Sequence, residues 1–116
     1  MLKAKVAGLS KHFGFEVIPS WRMEQFELAN HLQNLFTLLN IQCVLDVGAN
    51  KGQYRDFLRA HVGYKGLIVS FEPVKSLAKH LESRSQSDDN WKIFPFALGS
   101  QDTELPINVM ATDQFT

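Results

Sequence analysis

Two acidic residues and a pair of glycines carry the chemistry open to this sequence. Asp46 opens the run Asp46-Val47-Gly48-Ala49-Asn50-Lys51-Gly52-Gln53, and Glu72 ends the apolar run Leu67-Ile68-Val69-Ser70-Phe71. Glycine adopts backbone angles closed to other residues and lets the main chain approach a ligand closely. A carboxylate at the end of a second strand can accept both hydroxyls of a ribose, as Glu72 is placed to do. The run Val44-Leu45-Asp46-Val47 reads as a buried strand, followed by a glycine turn and the opening of a helix. Together these parts describe a pocket for the adenosine of a cofactor. It lies at the carboxyl edge of a parallel sheet, where open α/β sheets bind their ligands.

The glycine spacing discriminates between cofactors. A dinucleotide fingerprint wants glycine at the first, third and sixth positions of the turn. Those positions hold Gly48, Asn50 and Gln53. A pyrophosphate also needs bare backbone amides over the helix start, and Asn50, Lys51 and Gln53 crowd that approach. The pattern acidic-x-Gly-x-x-x-Gly, Asp46 to Gly52, instead resembles the first motif of S-adenosylmethionine-dependent methyltransferases. That ligand has no phosphate. Asp46 can attract its ammonium directly or through water, and its carboxylate can meet the amides near Asn50. A nicotinamide-dependent oxidoreductase is the weaker alternative, and a non-catalytic remnant or interaction module that keeps only the fold is a third.

Further segments sharpen the resemblance. Phe57-Leu58-Arg59, Gly63-Tyr64-Lys65-Gly66, Ile68-Val69-Ser70-Phe71-Glu72-Pro73, Trp91 and Ala97-Leu98-Gly99 follow the turn in that order. Order and spacing are similar to those of the FkbM-type methyltransferases, from about Val44 to the C-terminus. The resemblance implies a Rossmann-like class I methyltransferase fold, S-adenosylmethionine as cofactor, and O-methylation of a small-molecule or saccharide hydroxyl. It places Asp46, Gly48, Ala49, Asn50, Gly52, Gln53, Phe71, Glu72 and Pro73 around the cofactor, with Ala97 or Leu98 meeting the adenine after the third strand. No catalytic residue is named. The base that deprotonates the acceptor is expected beyond Thr116.

Each of these residues also has a purely structural reading. Gly48 and Gly52 would serve any strand-to-helix turn, Asp46 can cap loop amides, and Glu72 suits a helix start through the dipole. Asn50 and Gln53 are common turn and cap residues, and Phe71 fits a core aromatic as well as an adenine neighbour. Asp88 and Asp89 precede the third strand, at the wrong end for the cofactor, and read as solvated. His12, His31, His61 and His80 are isolated, without metal-ligand spacing or a nucleophile partner, so no metal site is expected.

Composition bounds the class. With 116 residues, 45% hydrophobic and 21% charged, the chain is one globular domain at most and is not disordered. Its formal net charge of zero gives no basic field for nucleic acid or an anionic membrane. The single Cys43 lies in an apolar run and reads as a reduced thiol, which points to the cytoplasm. No run approaches the ~20 apolar residues of a spanning helix. A signal peptide is not expected, because Ser10, Lys11 and His12 interrupt the apolar N-terminus.

These residues need an α/β frame to position them. Residues 1–40 read as an N-terminal strand over 13–18 and an amphipathic helix over 20–40, with Ser20 as N-cap. Its stripe of Leu28, Leu32, Leu35, Phe36 and Leu39 faces the sheet and Glu27, Asn30, Gln33 and Asn34 face water. Residues 41–116 read as the cofactor-binding half of a methyltransferase domain. Its strands are 43–47, 67–71 and 91–96, with a short extra strand over 105–109. The helix over 53–62 buries Tyr54, Phe57, Leu58 and Val62 and ends at Gly63. Pro73 starts the next helix, which buries Val74, Leu77, Ala78 and Leu81. The strand order is third, second, first, through right-handed crossovers. The expected fold is therefore α/β and incomplete, stopping in mid-domain and inactive alone. Its free first-strand edge invites self-association.

Overall fold

The computed structural model describes Gly14, Ser20 and residues 23–109. Apart from Gly14, the strand expected over 13–18 lies outside these residues. The described elements run α1 (Met23–Leu38), β1 (Cys43–Val47), α2 (Gln53–Phe57) continuing into a π-helical turn (Leu58–Val62), β2 (Leu67–Phe71), α3 (Lys75–Ser85) and β3 (Trp91–Phe94). The strands form one parallel sheet in the order β1-β2-β3. Three parallel strands with flanking helices make the α/β arrangement of an incomplete Rossmann-like fold.

Register explains which side chains enter the core. Cα partners run Val44 to Ile68 to Trp91, and one step of two residues further along, Asp46 to Ser70 to Ile93. Side chains two apart share a sheet face, so these six residues face one way. Ile68 and Ser70 are fully buried there, and Trp91 is 2% exposed. Helices fill that side with Leu58, Val62, Ala78 and Leu81, all buried. Burying each large apolar side chain of this set stabilises the fold by roughly 1.5–3 kcal/mol. The opposite face carries Cys43, Leu45, Val47, Leu67, Val69, Phe71 and Phe94, and it is open: Leu45 is 61% and Val47 58% exposed. The expectation of a buried β1 therefore fails on this face within the described residues.

Helix α1 follows the expected periodicity with a shifted centre. Its buried line is Ala29, with Leu32 and Phe36 packed against the core. Leu28 and Leu39, expected on that stripe, are 48% and 59% exposed. The small Ala29 lets the helix approach the turn Leu58–Val62, and residues three and seven further on face the same way. Phe36 meets Tyr64 edge to face at 5.3 Å. Asn40, in the left-handed region at φ 50°, stops the helix. Glu27, Asn30, Gln33 and Asn34 face water as expected.

The second helix also departs in detail. Five residues in it are α-helical, and the last turn widens to π geometry. Gly63, at φ 76°, reverses the chain, and the carbonyl of Leu58 accepts the amides of both Gly63 and Tyr64. Tyr54, expected in the core, is 42% exposed, while Phe57, Leu58 and Val62 are buried. In the next helix Pro73 lies before the N-cap Val74 instead of at the first helical position, and Lys75 opens the helix. The third strand ends at Phe94, two residues short, because the amide of Phe96 turns back to the carbonyl of Phe94. Residues 105–109 form no strand. Leu105, Ile107 and Val109 alternate as a strand would, yet all three are at least half exposed and bond to no ladder among the described residues. No helix among the described residues is long and apolar enough to cross a membrane.

Candidate cofactor-binding site

The site forms where β1 and β2 end side by side. Parallel pairing brings Asp46 beside Ser70 and Val47 beside Phe71, so the glycine turn after β1 and Glu72 after β2 emerge together. Asp46 and Glu72 are both buried, at 8% and 5% exposure. The two acids whose spacing marked the sequence thus meet at the carboxyl edge of the sheet.

Glu72 holds the turn. Its Oε1 accepts the amide of Asn50 at 2.6 Å, and its Oε2 accepts the amide of Val74, the N-cap of α3, at 3.0 Å. Asn50 adopts φ 53°, which aims its amide back at the carboxylate. Hydrogen bonds from amides to a charged acceptor are roughly twice as strong as neutral ones. Glu72 therefore couples the glycine turn to the start of α3.

Every amide of the turn is engaged within the chain. Those of Gly48 and Ala49 donate to the carbonyl of Phe71 at 2.9 and 3.0 Å. That of Asn50 goes to Glu72, that of Lys51 to Oε1 of Gln53 at 3.1 Å, and that of Gly52 to the carbonyl of Ala49 at 2.9 Å. A pyrophosphate site requires such amides to point at the ligand, and this turn has folded them inward. The same geometry bears on the amides near Asn50 that the sequence offers to a carboxylate. Of these, the amide of Lys51 is the exchangeable one, since its partner is the exposed side chain of Gln53.

The two glycines do different work. Gly48 stands at φ +75° with open space where a Cβ would lie. A ligand can approach the main chain there. Gly52 stands at φ +90°, and a Cβ on it would lie 2.7 Å from Nη1 of Arg84 and 3.2 Å from both Leu81 and Trp91. Gly52 is thus a packing glycine that lets the turn rest on α3 and β3. Arg84 completes that contact by donating to the carbonyl of Lys51 at 2.6 Å and to Oδ1 of Asp56 at 2.6 Å.

Asp46 is buried at the head of a chain of hydrogen bonds. The indole Nε1 of Trp91 donates to Oγ of Ser70 at 2.9 Å, and Oγ of Ser70 donates to Oδ2 of Asp46 at 3.3 Å. Burial pushes the Asp46 carboxyl above the ordinary carboxylate range; the Ser70 hydrogen bond opposes this and the charge of Glu72 adds to it. A cation placed beside Asp46 relieves that cost.

The remaining expected residues lie further out. Phe71 is half-buried at the end of β2 and forms a ring cluster with Phe94 and Phe96, at centroid separations of 5.6 to 5.8 Å. Pro73 is partly buried beside Glu72, while Ala97 and Leu98 are exposed in the segment after β3. A hollow of about 420 Å³ lined by Phe36, Ile41, Gln42, Tyr64 and Lys65 lies before the strands begin, at the opposite end of the sheet.

Two features were missed in the sequence. Ser70 stands two residues after Ile68, on the same face as Asp46, and a hydroxyl in an otherwise apolar strand was the available signal. Asp88 is not solvated as expected. Its Oδ2 takes Arg55 at 2.7 Å and Arg59 at 3.0 Å, and Arg55 lies over the Trp91 ring at 4.6 Å. Burial raises its carboxyl, but hydrogen bonds from Arg59 and Arg55 and from the Asn90 amide outweigh this and hold it at about 2. Asp89 is exposed as expected.

Comparison with protein families shows that the sequence model described as the methyltransferase FkbM domain aligns with residues 46–116, over half of the chain. No curated protein matches the chain, and no solved structure matches it.

Proposed function

The chain belongs to the FkbM methyltransferase family, and from that premise we propose that its carboxyl-edge site binds S-adenosylmethionine for O-methylation of a small-molecule or saccharide hydroxyl. One observation carries the choice of cofactor. The turn amides are folded inward while Asp46, Glu72 and the open space over Gly48 remain at the edge. Such a site suits a ligand with a cationic amino-acid end and no phosphate, and it works against a dinucleotide. For this reason the nicotinamide reading falls behind.

The residues fit the cofactor in named roles. Asp46, buried beside Glu72, gains most from an ammonium next to it. Gly48 leaves room for the ligand against the main chain. Glu72 fixes the turn through Asn50 and presents its remaining lone pairs to ribose hydroxyls. Phe71, Ala97 and Leu98 offer apolar surface on the adenine side, with Ala49, Asn50, Gly52, Gln53 and Pro73 shaping the walls. When bound, S-adenosylmethionine supplies a methyl group already activated by its sulfonium. The protein must then place an acceptor oxygen in line and take its proton with a positioned base. Asp46 and Glu72 are both committed to binding, so no described residue is assigned as that base, and the isolated chain is proposed to bind without turning over. We place this activity in the cytoplasm, with Cys43 reduced.

Radiolabelled S-adenosylmethionine retained on the chain provides the test. Displacement by S-adenosylhomocysteine and indifference to excess NAD support the reading; displacement by NAD alone refutes it.

A further inference from the structure

We propose that Ser70 and Trp91 are positioning residues for Asp46, forming a buried relay that turns one carboxylate oxygen toward the protein and leaves the other to the amino-acid end of the methyl donor. The inference rests on the cofactor reading above and adds two residues to it, neither of which would touch the ligand.

Donor chemistry fixes the direction of the relay. An indole N–H is a donor only, so at 2.9 Å the Oγ of Ser70 must accept from Nε1 of Trp91. The single hydroxyl proton of Ser70 is then free to point at Oδ2 of Asp46, 3.3 Å away. Asp46 is thereby held as an acceptor at Oδ2, and its Oδ1 is the oxygen left for a ligand. Ser70 is fully buried and Trp91 is 2% exposed, so water does not compete for these bonds. The Trp91 ring is itself clamped, with the guanidinium of Arg55 at 4.6 Å and that of Arg84 at 5.3 Å from its centroid. Because Arg84 also bonds the carbonyl of Lys51, the relay and the glycine turn share one rigid support. A buried indole N–H requires an acceptor, and the one used here is the hydroxyl that also donates to Asp46.

A pair of ligands separates positioning from general stability. S-adenosylhomocysteine carries the ammonium, and 5′-methylthioadenosine shares its adenosine but lacks the amino-acid end. In Ser70→Ala and in Trp91→Phe, affinity for S-adenosylhomocysteine is expected to fall roughly tenfold, the scale of one hydrogen bond to a charged group. Affinity for 5′-methylthioadenosine is expected to stay within about twofold. In the unmodified chain, the Trp91 indole N–H resonance should shift on titration with S-adenosylhomocysteine and hold still with 5′-methylthioadenosine, a readout that needs no variant to fold. Equal losses for both ligands, or an indole signal that ignores the amino-acid end, would overturn the relay while leaving the cofactor reading intact. Binding of neither ligand by the unmodified chain would overturn the cofactor reading and the relay with it.

Discussion

At the residue scale, the two glycines of one motif separate by their surroundings. Both sit at positive φ, where an L side chain costs roughly 1–2 kcal/mol. Only Gly52 is also crowded, by Arg84, Leu81 and Trp91. Gly52→Ala is therefore expected to destabilise the chain by roughly 2–5 kcal/mol, the backbone cost plus overpacking. Gly48→Ala should cost about 1 kcal/mol of stability but at least tenfold in S-adenosylhomocysteine affinity. Thermal melts and titrations of the two variants check this; equal effects on both quantities would contradict the division of labour. The motif spelled both glycines alike because spacing records the turn and carries no record of what packs against it. Asp88 illustrates the same limit. Its partners Arg55 and Arg59 lie some thirty positions earlier, on α2 and the π-helical turn that continues it, and no local pattern joins them to the loop that carries Asp88. Because its folded carboxyl is depressed to about 2 from an ordinary 3.8, it contributes stability fully above the higher value and loses it as pH falls through the lower one. The unmodified chain should melt above Asp88→Asn at pH 7, and this advantage should shrink between about pH 3.8 and about 2. A constant difference across that range would show that the ion pairs contribute nothing.

Elements were legible where periodicity and punctuation agreed. β1, the glycine turn and β2 follow from apolar runs bounded by Gly48 and Glu72, and the placement of Asp46 and Glu72 at neighbouring strand ends was readable for the same reason. Exactness failed where pairing partners decide the outcome: the alternation of Leu105, Ile107 and Val109 mimics a strand, but a strand exists only on a ladder. The π-helical turn at Leu58–Val62 was equally invisible, since it arises where Arg59 reaches from that turn to the carbonyls of Tyr64 and Gly66 at 2.8 Å each. β1 itself carries a consequence. It borders β2 alone among the described strands, and its outer residues Leu45 and Val47 are well exposed. An apolar strand with an open edge pairs readily with another chain. We expect concentration-dependent self-association through β1, abolished by Leu45→Lys together with Val47→Lys. Sedimentation velocity under reducing conditions, to silence the exposed Cys43, decides it; a monomer at all concentrations would refute this expectation.

At the scale of the molecule, among the described residues, one face of the sheet is packed and polar groups on it are tied into pairs, while the other face and the carboxyl edge stay open. The packed side explains why the site is rigid. Trp91 lies against the glycine turn, Arg84 bonds that turn, and Ser70 links Trp91 to Asp46. The carboxyl edge holds the two buried acids and the open space above Gly48 on which the cofactor reading stands. Its central claim is that this edge takes a phosphate-free adenosyl cofactor. The direct measurement is calorimetric titration of S-adenosylhomocysteine into the folded chain, with NAD as the control ligand and Gly48→Arg as the blocked variant. Saturable heat from S-adenosylhomocysteine, absent in Gly48→Arg and absent with NAD, is the predicted result. Heat from NAD with silence from S-adenosylhomocysteine would contradict the account.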